Sequence, residues 1–373
     1  MSPTQTVLVL QGGGALGAYQ GGAYEGLLKH DNAIDWVVGT SIGAINGAII
    51  AGNRPEARVE KLHAFWQRVA HDTPAIFPFF NTPDWLRPWS EATKIWDTVS
   101  KGVPGFFKPR ANSMWGINQS GPINQASFYD TSPLEATLNE LVDFKYLNAK
   151  HVRLTISAVN VATGALKKFD NTVDKITAKH IMASGALPPG FPPVEVNGAT
   201  YWDGGIYSNT PIDIVLDDAE RRNTLCFMID LWDPTEKAPA SIAEAITRQK
   251  DIQYASRSAE HLADHEHMQN LRRAIQLLSA RLPANERKSV AVKQLTTLGC
   301  SSTINIVRLI MKALPHDDQN KDIDFASTTL EARWQAGFDD LERALAHKTW
   351  LQAPPAHIGM VVHELKQQQN SPS

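Results

Sequence analysis

Residues 36–52 read WVVGTSIGAINGAIIAG, and the change of pattern inside this stretch decides the fold. Trp36, Val37 and Val38 form an unbroken apolar run, the composition of a strand buried on both faces. From Ile42 to about Gly52 small and aliphatic residues continue, which predicts a helix. Between the two, Gly39 to Gly43 fits G-x-S-x-G at a strand-to-helix elbow. Glycines two residues either side of Ser41 let the helix and a neighbouring strand approach a strained serine, and the helix N-terminus favours negative charge developing there. A plainer reading stays open, a tight turn whose serine only caps the helix.

The same strand, turn and helix order stands near the start of the chain. TVLVLQ, residues 6–11, is a second apolar run, and GGGALG, residues 12–17, follows it. Leu16, Tyr19, Ala23, Leu27 and Leu28 then recur at helical spacing and predict a helix over Ala15 to His30. Gly12, Gly14 and Gly17 satisfy G-x-G-x-x-G, so a dinucleotide site has to be weighed. That reading needs an acidic residue at the end of the second strand, whereas Asp35 lies before it, and the Walker lysine is also missing. The turn is better suited to receive a transient oxyanion on its backbone N–H groups.

Further along, the segment from His71 to about Tyr129 breaks the alternation. It is rich in Pro and Asn and holds AIFPFFNTPDWLRPW, with Trp85, Trp89 and Trp96 inside an insertion or cap spanning 71–129. Such a segment suits a lid or an acyl-chain pocket, or a satellite core. Alternation resumes with a strand over Val152 to Val159, a hairpin partner in GALKKFD, and a helix over Lys175 to Ala183. ALPPGFPPV is a rigid turn. TLCFMIDLW is another buried strand. Past residue 236 a long amphipathic tract, with room for one break, precedes the strand STINIVRLI and a late helix. The expectation is a catalytic domain over 5–235 and a mainly helical extension over 236–373, able to lend a strand to the core. Strands alternating with helices argue for a largely parallel sheet covered on both faces.

A serine nucleophile needs a base. The late histidines, His261, His265, His267, His316, His347, His357 and His363, have no strand-end setting that would bring them to Ser41. Asp203, in YWDGG, has one: a short apolar strand delivers it to a turn made by Gly204 and Gly205. Partial burial would make such a carboxylate basic enough to accept the Ser41 proton. Asp203 as the partner of a histidine, or as a turn residue only, stays open at this point.

Together, GGGALG, GTSIG and DGG resemble the signatures of the patatin-like phospholipases, in that family's order. The likeness covers about residues 5 to 235, and KDIDFASTTLEARWQAGFDD resembles an extension on some bacterial members. The resemblance implies a three-layer α/β/α fold with a mainly parallel central sheet and a nucleophile elbow. It implies Ser41 as nucleophile, Asp203 as base, and an oxyanion hole around Gly12, Gly13, Gly14 and Ala15. Gly17, Gly39, Gly43, Gly204 and Gly205 support the motifs. No metal or organic cofactor is implied. The implied reaction is cleavage of a lipid ester, as by a phospholipase A or lipase, with a non-phospholipid carboxylesterase, a polyester hydrolase or a catalytically weak lipid-binding or partner-binding protein as alternatives. Where many members carry Arg or Lys before the last loop glycine, this chain has Leu16, so a preference for anionic headgroups is not implied.

Composition narrows the partners. The 373 residues carry 36 Lys and Arg against 39 Asp and Glu, for a net charge of −3, with no long basic run, so a nucleic-acid partner is not expected. Two cysteines, Cys226 and Cys300, point to a reducing compartment. The apolar stretch at the N-terminus is too short for a signal segment, and no run reaches the length of a membrane span. Cytoplasmic residence is the expectation, with peripheral contact at the inner face of the membrane and self-association left open. HLADHEH, with His261 and His265 at helical spacing, lacks the zinc-protease pattern and reads as a solvated helix face.

Overall fold

The computed structural model describes residues 4–71, 98, 100–110, 122–235, 238–314, 317–318 and 320–365. Trp85, Trp89, Trp96 and His316 lie outside the described residues. The strands are β1 (Gln5–Leu10), β2 (Trp36–Gly39), β3 (Lys108–Pro109), β4 (Tyr129–Asp130), β5 (Arg153–Asn160), β6 (Leu166–Asp170), β7 (Val194–Val196), β8 (Ala199–Asp203), β9 (Thr224–Asp230), β10 (Ile304–Ile310) and β11 (Met360–Glu364). The helices are α1 (Ala18–Lys29), α2 (Ile42–Ala51), α3 (Pro55–Val69), α4 (Ser132–Leu141), α5 (Phe144–Asn148), α6 (Ala178–Ser184), α7 (Ile212–Leu216), α8 (Ile242–Arg281), α9 (Ala284–Arg287), α10 (Val290–Thr296) and α11 (Ser327–Ala346).

A central sheet runs in the order β11-β10-β9-β1-β2-β5-β8-β7, with β6 also on β5. The first six of these are parallel, and β6, β8 and β7 are antiparallel additions. Side chains alternate across the parallel strands as the period of two requires. Leu8, Leu10, Val37, Phe227 and Ile229 enter one core with residues of α1, α2 and α11. Val7, Val9, Trp36, Val38, Cys226 and Met228 enter the other, against Ile212 and Val215 of α7 and Leu262 of α8. Helix layers therefore cover both faces, which makes the three-layer α/β/α architecture, and the sheet is mainly parallel.

The geometry that matters most lies on β5. Its first half pairs with β2, Gly39 opposite Ile156. Its last residues pair with β8, Asp203 opposite Ala158. β6 overlaps both registers, from Thr155 to Val159, so it must occupy the other edge. β2 and β8 thus share one edge of β5 and meet head-on, with Ser157 between them. The Thr40 hydroxyl hydrogen-bonds that of Ser157 at 2.7 Å. Gly204 backs directly onto Ser157, leaving no space for a side chain.

Several local outcomes differ from the sequence expectations. The first helix opens with a 3-10 turn over Gly14–Gly17 before α1 starts at Ala18. α6 starts at Ala178, not near Lys175, because Thr177 and His180 form a reciprocal cap at its N-terminus. The tract after residue 241 is one unbroken helix of 40 residues. β10 and β11, both beyond residue 236, carry the sheet two strands outward. α11 returns to lie on α1, where the Trp334 carbonyl fills the space a side chain on Gly22 would need and the Tyr19 carbonyl fills that of Gly337. Gly22→Val should therefore force the two helices apart, lowering stability by about 3 kcal/mol in a denaturation experiment.

Candidate active site

Ser41 stands at the end of β2 with φ 57° and ψ −123°, a left-handed conformation costly for a residue with a side chain. Close packing holds it there. The Gly43 carbonyl stands where a side chain on Gly39 would be, and the Leu10 carbonyl where one on Gly43 would be. The Ser41 N–H donates to the Ser184 hydroxyl at 3.1 Å. Ser41 receives no capping bond role at α2, so its hydroxyl is not spent on the helix N-terminus.

Asp203 ends β8 and is 2% exposed. The Gly205 N–H donates to its Oδ1 at 2.7 Å. Burial raises the carboxyl from its ordinary range to about 7, against the opposing hydrogen bonds from the Gly205 N–H and the Ser41 side chain. Ser41 and Asp203, 162 positions apart in the chain, line one and the same cavity. No histidine lines the cavity that holds them, among the described residues. His261 and His265 lie instead at 3.1 and 3.4 Å from Asp213.

The glycine loop forms another wall of this cavity. The Gly12 carbonyl accepts from Asn209 Nδ2 at 3.0 Å and from Trp232 Nε1 at 2.8 Å. In a trans peptide the N–H points opposite to the carbonyl, so tying the Gly12 oxygen fixes where the Gly13 N–H points. Gly14 has φ 54° and packs against the Asp322 carbonyl from the C-terminal region. Gly12, Gly13 and Gly14 line the cavity with Ser41, Asp203 and Gly205, whereas Ala15 does not. The N–H groups of Gly13, Gly14 and Ala15 donate to no backbone acceptor among the described residues. Gly17 sits under Ile42 and Trp66.

The cavity measures about 310 Å³, and its far wall is apolar: Ile45, Phe106, Phe107, Leu187, Phe191 and Phe325. Phe106 and Phe107 come from the 71–129 segment, and Phe191 from the proline-rich turn before β7. Leu16 is fully buried and absent from this cavity. It lines a separate one of about 370 Å³ with Lys321, Asp251 and Lys312. The residue at position 16 therefore faces away from the space beside Ser41.

Sequence reasoning missed Asn209, Trp232, Ser184 and Tyr254, which orient or enclose the site. Tyr254 stacks on Trp232 at 4.9 Å between ring centres, and the Lys321 ammonium lies 5.3 Å from the Trp232 ring on a side chain paired at 2.7 Å with Asp251. None of these contacts has a local sequence signal.

A family model described as patatin-like phospholipase matches residues 8–216, and one described as patatin phospholipase matches residues 252–357. The chain belongs to the patatin-like phospholipase family, whose activity is lipid ester hydrolysis. Among solved structures it is similar to VipD from Legionella pneumophila, at 14% identity over 92% of this chain and 67% of that one, with a TM-score of 0.40. It is similar to human GIVD cytosolic phospholipase A2 in complex with methyl gamma-linolenyl fluorophosphonate, at 11% identity over 94% of this chain and 60% of that one, with a TM-score of 0.34. The type III effector protein ExoU is also similar, at 15% identity over 93% of this chain and 77% of that one, with a TM-score of 0.26. The chain thus spans 67% of the length of VipD and 60% of that of the human enzyme. The search of curated proteins returned no match.

The raised Asp203 carboxyl has a consequence for stability. Its folded value of about 7 exceeds the ordinary 3.8, so the folded state holds this proton more tightly than the unfolded chain. Stability is lost as pH rises from about 4 through 7, by an amount on the order of 4 kcal/mol. Asp203→Asn keeps the acceptor for Gly205 and removes the charge. Its melting temperature should exceed that of the parent at pH 8 and match it near pH 4.

Proposed function

We propose that the protein is a serine acyl hydrolase that cleaves carboxylic esters of lipids, in the manner of a phospholipase A or lipase, through Ser41 and Asp203. The observation that carries this reading is the pairing of a strained serine with a desolvated carboxylate at one end of an apolar cavity. Asp203 takes the Ser41 proton as the serine oxygen attacks the ester carbonyl carbon. The tetrahedral intermediate carries its negative charge toward the N–H groups of Gly13 and Gly14, on the loop of Gly12 to Ala15. Asp203 then returns the proton to the departing alcohol. Water loses a proton to Asp203 as it attacks the acyl-serine, and Asp203 gives that proton to the Ser41 oxygen as the acyl bond breaks and the acid leaves.

Apolar walls support an acyl chain as the group held beside the nucleophile. The 236–373 extension, on this reading, belongs to the catalytic unit of 5–235, because Tyr254, Lys321 and Asp322 buttress Trp232 and the glycine loop. An aligned oxyanion loop matters because one lost donor typically costs about 3 kcal/mol of transition-state stabilisation.

Three variants separate the roles. A fluorophosphonate probe should label Ser41 in the parent and leave Ser41→Ala unlabelled, with mass spectrometry mapping the adduct; an adduct on any other residue contradicts the assignment. Asp203→Asn should lower turnover of a soluble short-chain ester by about a thousandfold or more while folding normally. Trp232→Phe keeps the ring and loses the donor to Gly12, so kcat should drop about tenfold with little change in KM.

A further inference from the structure

We infer that residues 268–298, a helical projection built from the distal part of α8 with α9 and α10, form a docking surface for an anionic lipid bilayer. From residue 270 to residue 298 not one side chain is buried, although most of the segment is helical. On α8, Met268, Leu271 and Leu278 are exposed at spacings of three and ten residues, with half-buried Ile275 between them, so they form one stripe. Beyond the bend at Pro283, Val290, Leu295 and Leu298 are exposed at 72%, 58% and 57%. Exposed aliphatic side chains in this density mark a surface that has a partner.

Charge identifies the partner. Within 268–298 stand Arg272, Arg273, Arg281, Arg287, Lys288 and Lys293, opposed only by Glu286, which is six positive against one negative, or +5. The whole chain carries −3, so the remainder carries −8. On the helical wheel Arg272 and Arg281 flank the apolar stripe on its two sides. Arg273 faces the opposite way and donates to the Ala356 carbonyl at 2.7 Å and to that of Ser301, anchoring the projection to the body. An apolar stripe rimmed by cations suits the boundary between acyl chains and anionic headgroups. Two copies meeting through these projections would set like charges together.

The projection is separate from the chemistry. Tyr254 lines the catalytic cavity, and at 1.5 Å per residue Leu271 stands about 25 Å further along the same helix. The projection is therefore a tether, and substitutions in it leave the Ser41 cavity untouched. This inference does not depend on Ser41 being the nucleophile.

The test is flotation with vesicles of phosphatidylcholine alone and of phosphatidylcholine mixed with phosphatidylglycerol, at low and high salt. The parent and Ser41→Ala should both float with the anionic vesicles, at least about tenfold more than with neutral ones, and salt should reduce the difference. Arg272→Glu with Arg281→Glu and Lys293→Glu should lower flotation about tenfold or more, and Leu271→Ser with Leu278→Ser should also lower it. Both multiple variants should keep the parent's melting temperature and its turnover of a soluble short-chain ester. Equal flotation with neutral vesicles, parent-like flotation of the charge-reversed variant, or an oligomer in sedimentation that Leu271→Ser with Leu278→Ser dissolves would overturn the inference. Failure of ester turnover with flotation intact would count against the hydrolase reading alone.

Discussion

One edge of β5 is shared head-on by two strands that run toward each other. β2 arrives from one end and stops at Gly39, and β8 arrives from the other and stops at Asp203, with Ser157 between their registers. Both chains must turn away from the sheet at that point, and both do so through glycines. The side chains at the two turns, Ser41 and Asp203, are thereby forced into one small space. Because the meeting point lies within the sheet and not at its rim, the Asp203 carboxyl is shut off from water. That enclosure is the source of its raised pKa.

The second wall of this space is held from a distance. Gly12 is fixed by Asn209 and Trp232, Trp232 by its stacking on Tyr254, and Gly14 by the Asp322 backbone. α11 closes on α1 through glycines that admit no larger residue. Residues from the last third of the chain are thus part of the scaffold on which the glycine loop rests. Leu16 fits the same account. Its side chain is packed beneath the loop in a compartment shared with Lys321 and Asp251, away from the cavity of Ser41.

Much of the frame could be read from the sequence, because its strands are buried on both faces and their apolar runs are short and uninterrupted. The elbow at Ser41 and the turn at Asp203 were readable for a different reason: tight turns demand glycines in fixed positions, and those leave a local trace. What could not be read is contact between distant positions. Asn209 and Trp232 reach Gly12 across 197 and 220 positions, and no spacing rule links them. Two misses did have local signals. Asn197 and Gly198, at φ 51° and 78°, join β7 to β8 as a hairpin turn that the neighbouring prolines masked. α4 carries Leu134, Leu138 and Leu141 at helical spacing after a proline near its start. α8 runs for 40 residues as one helix whose first part packs on the body through Ala255 and Leu262, while beyond residue 270 its side chains are half-buried or exposed.

Enclosure sets the proton affinity of the Asp203 carboxyl, and the proposed chemistry depends on it. The most direct test is the pH dependence of kcat/KM for an uncharged, water-soluble ester, measured with the full chain between pH 4 and 9. A proton-accepting Asp203 that titrates at about 7 predicts a rate that climbs tenfold per pH unit on the acid side and levels off above neutrality. A rate already at its plateau at pH 5 would mean that the base is an ordinary exposed carboxylate, and would contradict the account.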